Sequence, residues 1–296
     1  IDTSSIRDIC IATGVPAGQV GQYEQLLLQV KEVFSGNIEL NVEKSDTVTI
    51  GAIYQPRFLP GFKMALDYYR ITVNNVIGSF SNGANQTVQN CYNISAPIMA
   101  ACQNIYRDSK GLLDFINSKI ANNGQIVTSG FDGYVQYFHP LDKGIFGDNE
   151  KLEISLQGTY LLSNKYRLVD GETYTQCAGF FSGNCDTPLP RFRLTQLLSW
   201  KNDTLEISFR WRHIGPTHNK FNDISDIAVP KLHAKNYFDS YLRYHISDNS
   251  ILRAGVNNIF DTAPDFVGSD QQQANTFPNL YDTLGTYFHL GINIYY

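Results

Sequence analysis

Along much of the chain, apolar and polar residues alternate with a period of two. In the last twelve residues, 285–296, Phe288, Leu290, Ile292, Ile294 and Tyr296 fall on one face of an extended segment, and Tyr287, His289, Gly291, Asn293 and Tyr295 on the other. The same pattern puts Leu205, Ile207, Phe209 and Trp211 opposite Glu206, Ser208, Arg210 and Arg212. It puts Leu152, Ile154, Leu156, Tyr160 and Leu162 opposite Glu153, Ser155, Gln157 and Thr159, and Val48, Ile50, Ala52 and Tyr54 opposite Thr47, Thr49 and Gly51. With further candidates at 62–76, 126–138, 191–200, 236–247 and 250–260, the pattern predicts nine strands. Many run to ten residues or more, beyond the ~5–6 usual in soluble proteins. Their connections alternate in length: short at 55–61, 139–150, 201–203 and 247–250, long at 77–125, 163–190, 214–235 and 261–284. Long strands with short turns on one side and long loops on the other are the signature of an outer-membrane β-barrel. The last strand follows a long loop, so the C-terminus falls on the short-turn, periplasmic side, with Tyr296 at the inner interface.

Composition sharpens this picture. Charged residues are 17% of the chain, below the roughly 25% of soluble domains, while aromatics reach 13%. The net charge of −5 comes with no basic block, which argues against nucleic acid as a partner. No run of 18 apolar residues is present, which excludes a transmembrane helix but not a barrel, whose strands need only ~9–11 residues each. The first residues form no signal peptide and lack an initiating Met, so the chain is expected to begin inside a longer sequence or to have been processed. Of five cysteines, Cys91 and Cys102 share one polar segment and Cys177 and Cys185 another. Close pairs within loops predict two local disulfides and an oxidising compartment. The alternative of free or metal-binding thiols finds no zinc spacing and no nearby His. Cys10 is left over. The six His show no metal-ligand spacing, and no phosphate loop, dinucleotide fingerprint or nucleophile elbow occurs. No enzyme, cofactor or metal is expected.

The segment LRAGVNNIFDTAPDFVG…YFHLGINIYY resembles the C-terminal end of TonB-dependent receptors, with their Gly-Val-Asn-Asn-aromatic-Asp turn, long loop and terminal aromatic strand. GNIELNVEKSDTVTIGAIYQPRFLPGFKMALDYYRITV, TSGFDGYVQY, LQGTYLL, CAGFFSGNCDTPLPRFRLTQLLSW and FRWRHIG are similar to family segments in family order. The resemblance implies an all-β, transmembrane antiparallel barrel of about 22 strands, with this chain as its C-terminal portion. Residues 1–40 would be extracellular loop and 41–296 would hold the strands. The N-terminal plug and the earlier strands would be partners supplied by the same gene or by a separate chain, and TonB would act through the plug.

The polar face supplies the first site candidates. Arg193, Arg210, Arg212 and Arg253 should face the lumen. They either pair with acids such as Glu206 and Asp239 or the plug, or line a path for an anionic substrate such as a ferric chelate or acidic sugar. In the last long loop, Asp270, Gln271, Gln272, Asn275, Phe277 and Tyr281 either grip sugars or peptides or pack on themselves. The expected function is energy-coupled import of an extracellular nutrient: a ferric chelate, oligosaccharide or peptide. The alternatives are a passive porin-like or structural wall component and, in a different class, a soluble β-sandwich binding module.

Overall fold

The computed structural model describes residues 3–22, 31–79, 83–93, 98–141, 144, 149–169, 172–182, 185, 187–220, 229–268 and 275–295. Nine long strands form one sheet: β1 (Lys44–Tyr54), β2 (Phe62–Ser79), β3 (Ile120–Pro140), β4 (Lys151–Arg167), β5 (Phe192–Lys201), β6 (Leu205–Ile214), β7 (Lys235–Ser247), β8 (Ser250–Asn257) and β9 (Tyr287–Ile294). Their order in the sheet is their order in the chain. Each strand from β4 to β9 pairs antiparallel with its sequence neighbour. Among the described residues β1 and β9 each have one sheet neighbour, so the sheet does not close on itself. All nine expected strands are present. β3 and β4 are longer than the alternation alone indicated, because their polar ends at Ile120–Gln125 and Ser163–Arg167 continue the ladder without continuing the alternation.

The short connections explain their own geometry. Asn202 Oδ1 accepts from the amides of Thr204 and Leu205 at 2.9 and 2.8 Å, which turns the chain from β5 into β6. Gly61, at the end of the β1–β2 connection, adopts φ +84°, and a Cβ there would lie 2.1 Å from the carbonyl oxygen of Phe138 on β3, so only glycine fits there.

The chain divides into two compact units. The first comprises residues 1–46, 71–127 and 165–175. Beside strand ends it holds three short helices, α1 (Thr3–Ala12), α2 (Ala84–Cys91) and α3 (Met99–Cys102), and a small sheet of Lys31–Val33, Leu113–Asn117 and Ile105–Arg107. Its core is Cys91, Ala101, Cys102, Ile105 and Val169, pinned by the Cys91–Cys102 disulfide. Alternation gave only loop here, because the helices are short and α2 (ANQTVQNC) is mostly polar. No helix among the described residues is long and apolar enough to cross a membrane, which says nothing of a barrel.

The second unit comprises residues 47–70, 128–164 and 176–296. In it the registers align the alternating sets strand by strand. Leu156, Gln196 and Trp211 lie in one cross-strand row, and Ile207, Leu242, Ala254 and Leu290 in another. One face of β4–β9 is therefore a mostly apolar band, interrupted by Gln196 and Ser240, and Phe209 on it is 53% exposed. Among the described residues no buried apolar cluster is built from this band. The buried apolar cluster of the unit is built mainly by loops: Phe181, Leu232, Val267, Phe277 and Tyr281, with Ile214 and Tyr237 from strand ends. Three short strands brace it, Thr217–Asn219 pairing with Lys231–Leu232 and with Phe180–Phe181. The Cys177–Cys185 disulfide closes the segment beside it, so both expected disulfides are present. Cys10 has no disulfide partner among the described residues.

Candidate functional site

Opposite the apolar band, the registers stack polar residues in rows. Gln157, Thr195, Arg212 and Tyr237 share one, and Glu206, Arg243, Arg253 and Gly291 another. Neighbours across the strands satisfy one another. Thr159 donates to Asp132 at 2.6 Å, Gln136 and Lys201 donate to Glu153 at 2.8 and 3.0 Å, and the hydroxyls of Ser199 and Ser208 meet at 2.8 Å.

The densest cluster centres on Asp239, whose side chain is fully buried. Its carboxylate accepts from Arg210 Nε at 2.8 Å, from Arg212 Nε and Nη2 at 2.9 and 3.1 Å, and from the amide of Asn258 at 2.8 Å. Arg212 also grips Asp282, in the last long loop, through Nη1 and Nη2 at 2.9 and 2.5 Å. Such two-pronged charge-assisted pairs are the strong ones. Each guanidinium also covers a ring: Arg210 lies 5.1 Å from the centroid of Tyr241, and Arg212 4.9 Å from that of Tyr237. Two arginines face two carboxylates, so the cluster is neutral. Arg210, Arg212, Asn257, Asp282 and Tyr287 line a recess of about 350 Å³.

Asn258 explains how the loop after β8 starts. It adopts φ 51°, a conformation asparagine tolerates, and it exchanges hydrogen bonds with Thr262: amide to Oδ1 at 2.8 Å and Nδ2 to carbonyl at 3.1 Å. Asp261, also at φ 51°, accepts from the amide of Thr286 at 3.1 Å, tying the start of the loop to the approach to β9. This is the VNNIFD turn of the sequence.

A second recess of about 350 Å³, lined by Glu206, Ser208, Tyr241, Arg243, Arg253 and His289, lies on the same face. Arg253 bonds Asn293, and the register sets Arg243 between Glu206 and Arg253. Among the described residues neither Arg243 nor Arg253 makes an ion pair, so two guanidiniums stand against one carboxylate here. Arg243 was not among the candidates read from the sequence, although its even spacing from Asp239 in DSYLR places it on the polar face. Arg193 lies on that face as well, opposite Thr159 and Ile214, and is exposed. The four arginines of the sequence reading thus share one face. Arg210 and Arg212 are consumed by carboxylates, while Arg193 and Arg253 are not.

The loop candidates divide. Asp270, Gln271 and Gln272 lie outside the described residues. Asn275 is exposed. Phe277 and Tyr281 are 1% and 3% exposed inside the loop cluster, which fits the self-packing alternative. Burial pushes the Tyr281 phenol well above its ordinary pKa. Nearby, Asp265 accepts from Lys235 Nζ at 2.7 Å and from the amide and Nδ1 of His233 at 2.5 and 3.1 Å. Partial burial opposes ionisation there, but these donors outweigh it and hold the carboxyl below its ordinary pKa. Among the described residues no group of three or more His, Cys, Asp or Glu is placed to hold a metal ion.

No curated protein sequence matches the chain. Solved structures do. A ferric enterobactin receptor mutant from Pseudomonas aeruginosa aligns with a TM-score of 0.57 at 19% identity, over 88% of this chain and 32% of its own. An iron transporter from Neisseria meningitidis gives 0.51 at 15%, over 89% and 33%. A siderophore receptor from Acinetobacter baumannii gives 0.53 at 13%, over 88% and 33%. At these identities the likeness is one of fold, and the chain spans about a third of each neighbour's length. The family model described as TonB dependent receptor-like, beta-barrel matches residues 17–259. An all-antiparallel meander with an apolar band on one face and paired charges on the other is what that family's wall requires, and the chain belongs to the TonB-dependent receptor β-barrel family of the outer membrane.

Proposed function

We propose that this chain is the C-terminal wall section of an energy-coupled receptor that imports an extracellular nutrient. The apolar band faces lipid, the arginine-bearing face lines the lumen, and the long loops face outward from the cell. A plug and the earlier strands complete the barrel, and TonB acts on the plug. The open sheet carries this reading. Unpaired edge groups at β1 and β9 cost several kcal/mol each in hydrocarbon, so further strands must satisfy them.

Arg193, Arg243 and Arg253 make no ion pair among the described residues, and Arg243 and Arg253 outnumber the one carboxylate beside them, Glu206, which supports an anionic ligand. Ferric chelates fit that charge, and the three structural neighbours are described as receptors or transporters for iron or siderophores. Arg210 and Arg212 hold the wall and anchor the last loop.

The test is uptake of radiolabelled iron, as ferric chelates of different charge, by cells carrying the full-length receptor. The reading expects uptake that stops when TonB is deleted and that falls in an Arg243→Gln/Arg253→Gln variant. Uptake that persists without TonB would establish the passive channel instead.

A further inference from the structure

The apolar band of the second unit is not uniformly filled. A groove of about 290 Å³ runs across β2–β5, lined by Met64, Leu66, Phe131, Leu156, Tyr160 and Phe192 among others. Gly133 and Gly158 form its floor. A Cβ built on Gly133 would lie 3.9 Å from the carbonyl oxygen of Gly158, so the two glycines are neighbours on adjacent strands. Strand parity places them on the band: Tyr68 packs on Phe131 with centroids 5.4 Å apart, whereas Asp132 bonds Thr159 on the opposite, polar face. Elsewhere the band carries large side chains such as Phe209, Leu290 and Ile292. Here Gly133 leaves a trough between rings, while Leu194 Cδ1 stands 3.1 Å from where a Cβ on Gly158 would lie.

We infer that this groove holds one acyl chain of a membrane lipid. The inference rests on the reading that the band faces the bilayer. Three features select a tail rather than another occupant. The lining is almost wholly apolar, leaving nothing to bind a headgroup or a polar solute. From Leu156 to Tyr160 the floor extends four residues, about 13 Å along the strand, the shape of a hydrocarbon segment. The volume of about 290 Å³ stands at the bottom of the roughly 300–1,000 Å³ range of small-molecule sites, a slender space that suits one chain. A chain lying between Phe131, Tyr160 and Phe192 touches protein on several sides instead of one, and dispersion contacts add up over its length.

The test uses the full-length receptor in vesicles of phospholipid carrying a diazirine on one acyl chain. After photolysis, labelled residues are mapped by mass spectrometry. Labelling at Phe131, Tyr160 and Phe192 is expected to exceed that at Phe209, Leu242 and Leu290 several-fold. Gly133→Leu should erase the excess. A Cβ there meets only ordinary contacts, Gly158 O and Leu66 Cδ1 at 3.9 Å, so the variant should fold, and Ala254→Leu elsewhere on the band should change nothing. Even labelling along the band would overturn the groove while leaving the lipid-facing reading intact. Absence of label from the whole band would overturn both. Label at Phe209, Leu242 and Leu290 but none at Phe131, Tyr160 and Phe192 would mean that something other than lipid fills the groove, and would overturn the acyl chain as its occupant.

Discussion

The loop cluster and the wall of the second unit use the same residue types in opposite ways. In the cluster, Phe181 and Phe277 are buried ring against ring with centroids 6.0 Å apart, as in any water-soluble core. In the wall, Phe209 and Phe288 stand exposed, while the carboxylate of Asp239 is fully buried. The difference follows from the solvent outside each region. Loops in water gain by hiding apolar surface. A wall in hydrocarbon gains nothing by hiding it, so what must be collected and satisfied is the polar groups.

The comparison is broken most severely by exchanging what each region buries. Phe277→Ala should destabilise the loop cluster by about 3–5 kcal/mol, the usual cost of emptying a core aromatic. Phe209→Ala should cost little, because lipid fills the space. Hydrogen exchange of the loop amides in the full-length receptor reads both, and equal losses would erase the distinction. Asp239→Ala leaves Arg210 and Arg212 without the carboxylate they share. Removing one partner of a buried ion pair costs about 3–5 kcal/mol, which should appear as a lower denaturant midpoint and as faster exchange in the loop that holds Asp282.

Next in size is the asymmetry between the faces. Ile207→Arg should cost about 2–4 kcal/mol near the midplane, measured by reversible unfolding from vesicles. Gln157→Arg, on the polar face, should be mild. Equal costs would mean that the two faces share one solvent.

The smallest effect is electrostatic. Asp265 has a lowered pKa, so the stabilisation it contributes is present above the ordinary carboxylate range and is lost as pH falls through its depressed value. Proteolysis of the 258–286 loop should quicken at pH 3 relative to pH 5, using an acid-active protease. Asp265→Asn should remove that difference.

The wall was legible because a strand between two solvents writes its fold as a period of two, and Leu205–Trp211 or Phe288–Ile294 suffice to read it. Two local disulfides were legible for a similar reason, since both partners of each sit in one short segment. The loop cluster was not, because Phe181, Leu232 and Phe277 come from three loops and nothing local marks them as neighbours. For the same reason Asp282 could not be named as the partner of Arg212: they lie 70 residues apart in sequence. Arg243 could have been found on the polar face, since it lies an even four residues from Asp239, but only the register sets it beside Glu206 and Arg253.

The account stands on the two open edges. In the full-length receptor in a bilayer, backbone amides of Lys44–Tyr54 and Tyr287–Ile294 should resist hydrogen exchange on both edges of each strand. Paired cysteines at Ile50 and Leu290 should fail to cross-link if, as proposed, each strand pairs with one outside these 296 residues. A high-yield cross-link between those positions would mean that the nine strands close on themselves, and the wall-section reading would be wrong.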